Sequence, residues 1–144
     1  MTPFVLTQDS SLSPSAAWAR ITDWPSHGRH VPLTTMRVDP PGPSAVGTVF
    51  TARTALGPIG FDDPMEIVEW QPPADGAPGR CRLEKRGRVM LGWAEITVSE
   101  HRGGSRTTWT EAVRPRGLPR FADRLAALSG RLLFGRVLRK LLTA

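Results

Sequence analysis

A chain of 144 residues has room for one core, burying roughly 70% of the surface its unfolded form exposes, and 40% apolar with 22% charged residues excludes wholesale disorder and a coiled coil. No apolar run approaches the ~20 residues of a membrane-spanning helix, and Met1 to Leu12 lacks a basic segment followed by an apolar one, so a cytoplasmic protein without a targeting segment is expected. The net charge of +6 is almost all arginine, with Lys85 and Lys140 the two lysines, and its spread along the chain argues against nucleic acid as the main partner.

In chain order, Phe4 and Leu6 alternate with Val5 and Thr7 as a first strand does. Ser13 before Pro14 is a helix start, a capping side chain followed by a proline at the first helical position, and Ala16, Ala17, Trp18 and Ile21 form a small apolar face that must end before Pro25. A second short helix from about Pro25 to His30 follows. From Thr34 the period changes to two. Met36 to Val38 is a short strand closed by the Pro40 to Pro43 loop. Five more follow at Thr48 to Thr54, Phe61 to Trp70, Arg80 to Arg86, Met90 to Glu100 and Arg106 to Val113, joined by connections short enough to require antiparallel pairing. Pro64 predicts a bulge or an edge position in its strand. From Pro119 to Leu142 helical spacing returns, with Phe121, Leu125, Leu128, Leu132, Val137 and Leu141 as one stripe and Gly130 and Gly135 as points of bending. The order predicts an α+β fold in a single domain over 1–144: a bent antiparallel sheet of about seven strands, two short helices after the first, and a long C-terminal helix across the concave face.

The last two hairpins can be registered from their turns. With Gly103-Gly104 as a two-residue turn, Val98 faces Trp109, Ile96 faces Glu111 and Ala94 faces Val113. With Gly87-Arg88 as the turn before it, Lys85 faces Met90, Leu83 faces Gly92 and Cys81 faces Ala94. Both place Cys81, Leu83, Lys85, Met90, Gly92, Ala94, Ile96, Val98, Trp109, Glu111 and Val113 on one inner face, and Trp93 beside Arg82 on the outer one. Glu111 is then a carboxylate on the core face, which is costly unless paired, hydrogen-bonded or protonated. It is therefore the candidate for binding a polar group or for acid–base work, with a buried structural Glu as the alternative. Lys85, near a strand end, is expected to reach water along its stem.

Other groups say less. Cys81 has no disulfide partner and no metal-ligand spacing around it, which predicts a buried thiol; no metal and no cofactor are expected. His27 and His30 are placed to flank a cavity mouth. Asp62 and Asp63 point to opposite faces and read as solvated charges. No nucleophile elbow, phosphate loop or zinc spacing occurs, so no complete catalytic set is present.

The order of elements resembles the START-like superfamily with its helix-grip fold. Ser15-Ala16-Ala17-Trp18 with Ile21-Thr22-Asp23-Trp24-Pro25, the strand exit Val68-Glu69-Trp70-Gln71-Pro72-Pro73, and Gly104-Ser105-Arg106-Thr107-Thr108-Trp109-Thr110-Glu111 are similar to its bacterial polyketide cyclase/dehydrase branch, nearly end to end. The loop Pro40 to Pro43 and the basic final helix depart from it. The resemblance implies a pocket for a hydrophobic small molecule such as a lipid or polyketide, walled by Leu83, Lys85, Met90, Ile96, Val98, Trp109, Glu111, Val113, Phe121, Leu125 and Leu128. A carrier of such a molecule is the leading expectation. A polyketide cyclase or dehydrase with Glu111 as general base is the alternative, and a peripheral membrane or nucleic-acid module using the basic helix is the third. A monomer or homodimer is compatible with all three.

Overall fold

The computed structural model describes residues 2–117 and 119–143. Seven antiparallel strands lie in the order β1-β7-β6-β5-β4-β3-β2, with β1 Phe4–Ser10, β2 Thr34–Asp39, β3 Val49–Leu56, β4 Ile59–Gln71, β5 Gly79–Lys85, β6 Met90–His101 and β7 Gly104–Pro115. Helices α1 Pro14–Ile21 and α2 Trp24–His30 join β1 to β2, and α3 Asp123–Thr143 crosses the sheet. The Ser13 side chain caps α1 by accepting the Ala16 N–H at 3.2 Å, with Pro14 at the first turn as the sequence requires. This is the helix-grip fold.

The hairpins keep the predicted face but not the predicted register. The β6–β7 turn is Arg102-Gly103, both at positive φ (50° and 81°), so Ile96 faces Trp109 and Ala94 faces Glu111. A two-residue turn of this hand needs left-handed backbone at both positions. Gly104 belongs to the strand, where a Cβ would strike the Ser10 carbonyl oxygen of β1. The β5–β6 ladder closes at Glu84 and Trp93 rather than at Lys85 and Met90, which sets Cys81 opposite Ile96 and Leu83 opposite Ala94. Each correction moves a partner by two residues, and a shift of two leaves every side chain on its face. Arg82 consequently faces Glu95, yet its guanidinium still lies over the Trp93 ring at 4.6 Å.

Pro64 is neither bulged nor at an edge. It pairs with Thr51 in an interior strand, and its carbonyl accepts the Arg86 N–H at 2.8 Å, so its missing N–H points past the end of β5, where Gly87 leaves room for the ring. The irregularity in β4 falls instead between Ile67 and Glu69, where Val68 is the extra residue.

Helix α3 runs unbroken through Gly130 and Gly135. Gly130 is there for close approach, since a Cβ would come within 2.7 Å of the Phe4 ring. The expected core stripe divides: Val137 and Leu141 are buried, while Phe121, Leu125, Leu128 and Leu132 are exposed, Phe121 at 88%. The helix sits so close to β1 that small residues, Ala127 and Gly130, occupy its inner face here, leaving the bulky ones outside. The solid core lies under α1 and the C-terminal half of α3, where Trp18, Ile21, Ile96, Val98, Leu138 and Leu142 pack together and Trp18 meets Trp70 at 5.1 Å.

Candidate functional site

Beneath the N-terminal half of α3 the sheet and helices enclose a cavity of about 500 Å³. Its floor is a run of rings: Phe50 stacks on Trp24 at 4.2 Å, Trp24 meets His27 at 5.6 Å, His27 meets Trp109 at 5.7 Å, and Trp109 stacks on Phe134 at 5.7 Å. The His27 Nε2–H donates to the Ile21 carbonyl at 2.6 Å, anchoring the ring, and burial holds its pKa below the ordinary 6.5. The wall grades from the buried Trp24, Phe50, Leu83 and Trp109 to the part-exposed Thr34, Thr54, Phe61, Met90 and Pro115 at the strand ends, and to the exposed Leu125 on α3. That gradient puts the mouth at the end of the sheet carrying the β3–β4 and β5–β6 connections and the start of α3.

Three charged side chains interrupt the apolar wall. Glu111 on β7 is 2% exposed, and its Oε2 accepts the Trp109 Nε1–H at 3.0 Å. Lys85 on β5 points inward instead of reaching water, its side chain 3% exposed. Its Nζ lies 2.6 Å from Asp63 Oδ2 on β4 and 3.8 Å from Glu111 Oε1. Burial raises the Glu111 pKa above its ordinary 4.5; the Lys85 charge and the Trp109 hydrogen bond oppose the rise, and the Asp63 charge adds to it. The second Asp63 oxygen, Oδ1, is buried with no hydrogen-bond partner among the described residues.

Of the residues expected at the cavity, Leu83, Lys85, Met90, Trp109, Glu111, Val113 and Leu125 line it. Four do not. Ile96 and Val98 sit further along β6 in the solid core, Val98 opposite Gly79, which in turn packs against Trp18. Leu128 on α3 and Phe121 in the turn before it are exposed and outside the lining. His27 is in the floor and His30 is not part of the lining.

The sequence reads Asp63, like Asp62, as a solvated charge, and the structure instead turns it into the cavity beside Lys85. Asp62 does turn to the surface, paired with Arg53 at 3.4 Å, while Asp63 shares its face with Phe61, Met65 and Ile67. That run of alternate apolar neighbours is the signal that marks it as inward. Among the described residues no three of His, Cys, Asp and Glu gather as a metal requires, and no helix is long and apolar enough to cross a membrane.

The family model described as polyketide cyclase / dehydrase and lipid transport matches residues 1–144. No curated protein matches the chain. Among solved structures, Ara h 8.0201 superposes with a TM-score of 0.63 at 12% identity, covering 99% of both chains. The protein TTHA0849 of Thermus thermophilus gives 0.68 at 14% identity over 98% of this chain and 94% of its own. The Polyketide_cyc-like protein Cgl2372 of Corynebacterium glutamicum gives 0.64 at 14% identity over 98% and 89%. Likenesses at these identities establish the fold and carry no activity with them.

Proposed function

The chain belongs to the polyketide cyclase/dehydrase and lipid transport family, and from that premise we propose that it binds one apolar small molecule in the cavity beneath α3, with a neutral hydrogen-bonding group of that molecule seated beside Glu111 and Lys85. A volume of about 500 Å³ with an aromatic floor suits a ligand of drug or lipid size. The observation that carries the choice of polar group is the charge arrangement. Lys85, the one cation in the wall among the described residues, is already held by Asp63, and a second acid stands 3.8 Å from it. A ligand carboxylate would meet two acids sharing one lysine. A hydroxyl or carbonyl avoids that repulsion and can bond to Lys85 or to Glu111 in its protonated form.

Displacement of a lipophilic fluorescent probe by matched long-chain alcohols and carboxylic acids tests this. The alcohol is expected to compete and the acid, ionised near neutral pH, to compete poorly. Equal competition, or stronger competition by the acid, would refute the charge argument, and failure of any apolar probe to bind would refute the cavity reading.

A second reading rests on one specific feature, the raised pKa of a carboxyl whose orientation is set by an indole N–H. Such a group is poised as a general base, so cyclisation or dehydration of a bound polyketide is the corresponding chemistry. In that case Glu111→Gln abolishes turnover of a polyketide substrate while probe affinity is retained. Loss of both together would count against it.

A further inference from the structure

We propose that the mouth of the cavity is a docking surface for an anionic lipid bilayer. Six large apolar side chains at this end, Leu33, Leu56, Ile59, Phe121, Leu125 and Leu128, are each more than half exposed. They come from three separate places in the chain that the fold gathers at one rim. Leu33 leads into β2 and its carbonyl accepts the Ala55 N–H at 3.0 Å, which ties it to the β3–β4 turn carrying Leu56 and Ile59. The other three lie at the start of α3 and just before it. At about 100° per residue, Leu125, Leu128 and Leu132 share a wedge of about 60° on the side of the α3 axis away from Ala127, Gly130 and Phe134, and Phe121 is exposed in the turn just before it. The helix thus carries two apolar faces, and its own fold covers one of them.

Charge complementarity selects the occupant. The acids of the rim are already held, Asp62 by Arg53 at 3.4 Å and Asp123 by Arg114 at 3.6 Å. Arg88, Arg116, Arg120 and Arg124 stand at the same end with no acidic partner among the described residues. The β5–β6 loop and the β7 exit that carry the first two are joined by the Arg116 N–H to the Val89 carbonyl at 2.7 Å. Apolar anchors ringed by uncompensated arginines are what an interfacial element presents to anionic lipid, and an exposed apolar patch rimmed by charge marks an interaction surface. Docking in this orientation would set the cavity mouth against the acyl chains. Only that consequence, loading an apolar cargo without passage through water, rests on the ligand-binding reading.

The test is flotation with vesicles of phosphatidylcholine alone and of phosphatidylcholine mixed with phosphatidylglycerol. The wild-type chain should float with the mixed vesicles, stay behind with phosphatidylcholine alone, and be released as salt is raised. Ile59→Ser with Phe121→Ser, both outside the cavity wall, should weaken binding by roughly tenfold or more. Arg120→Gln and Arg124→Gln should each weaken it by about fivefold, on the anionic vesicles only. Val46→Ser, which removes an exposed apolar residue in the β2–β3 loop at the far end of the sheet, should change nothing. An unchanged unfolding midpoint confirms that each variant is folded.

Absence of flotation with anionic vesicles overturns the proposal, as does flotation indifferent to Ile59 and Phe121. Salt-sensitive binding to duplex DNA in place of vesicles would also overturn it. So would a dimer in light scattering that Ile59→Ser with Phe121→Ser dissociates, because a second copy would then cover the rim. Probe uptake measured on the same preparations separates the two claims. Flotation without uptake supports docking and sinks the ligand reading, whereas uptake without flotation does the reverse.

Discussion

Replacing Lys85 by Met keeps the aliphatic stem and deletes the charge between Asp63 and Glu111. Their side chains are 13% and 2% exposed, so water cannot take over the role of the ammonium group. Removing one partner of a buried charged set costs about 3–5 kcal/mol, and the lower figure is appropriate because Glu111 can relieve the strain by taking up a proton. About 3 kcal/mol corresponds to a fall in Tm of roughly 10 °C at this chain length. The loss must depend on pH, with a definite sign. The folded pKa of Glu111 already lies above 4.5, so its protonation supports the fold fully below the unfolded value, and that support is lost as pH rises through the folded value. Without Lys85 the folded pKa climbs further, and more is lost over a wider range. The part of the gap between wild type and variant that comes from Glu111 should therefore be smallest near pH 4.5 and open toward neutral pH. Urea unfolding followed by tryptophan fluorescence reads both, and repeating it in a Glu111→Gln background should reduce the cost of Lys85→Met by more than about 1 kcal/mol. A Lys85→Met protein that keeps wild-type stability at neutral pH, or a cost unchanged by Glu111→Gln, would refute the network.

Two other outcomes follow from the packing. Cys81 is buried with its thiol pKa pushed up to about 12 by burial, so a thiol reagent should label the folded protein negligibly near neutral pH and label it fully in denaturant; rapid stoichiometric labelling of the native chain would contradict that burial. At Gly92 the backbone has φ of 140° and a Cβ would run into the Ala112 carbonyl oxygen across the hairpin, so Gly92→Ala should destabilise by about 3 kcal/mol or more; a urea midpoint within error of wild type would show that β6 and β7 can separate there at little cost.

Much of this fold is legible in the sequence because its punctuation is local. Ser13-Pro14, Pro25 and the Gly-containing turns fix where elements begin and end. The inner face of β5, β6 and β7 is readable for a further reason: locating a turn one residue early or late changes each partner by two, which parity forgives, so Glu111 is placed inward by either register. The limits are equally physical. Lys85 and Asp63 meet through the β4–β5 pairing, and residues 72–78 between those strands are too long a connection to set a register. Helix α3 is apolar on two sides, so periodicity alone cannot say which side meets the sheet; the deciding facts are the small residues Ala127 and Gly130 against Phe4, a long-range contact. Ile96 and Val98 carry the right parity for the cavity, and only their distance along β6 puts them in solid core.

The single extra residue at Val68 has a consequence for how such a strand can change over time. Up to Ile67 the odd-numbered residues of β4 face the interior, and from Trp70 the even-numbered ones do, opposite Leu83 and Cys81 in turn. Taking Val68 out would join Ile67 to Glu69 in regular pairing and leave both halves facing as they do now, whereas a deletion at Met65 would turn Phe61 and Asp63 outward. Where relatives of this chain differ in the length of β4, the gap belongs at Val68, and the half of the strand that furnishes Asp63 can be exchanged between relatives without disturbing the half that packs on Trp18.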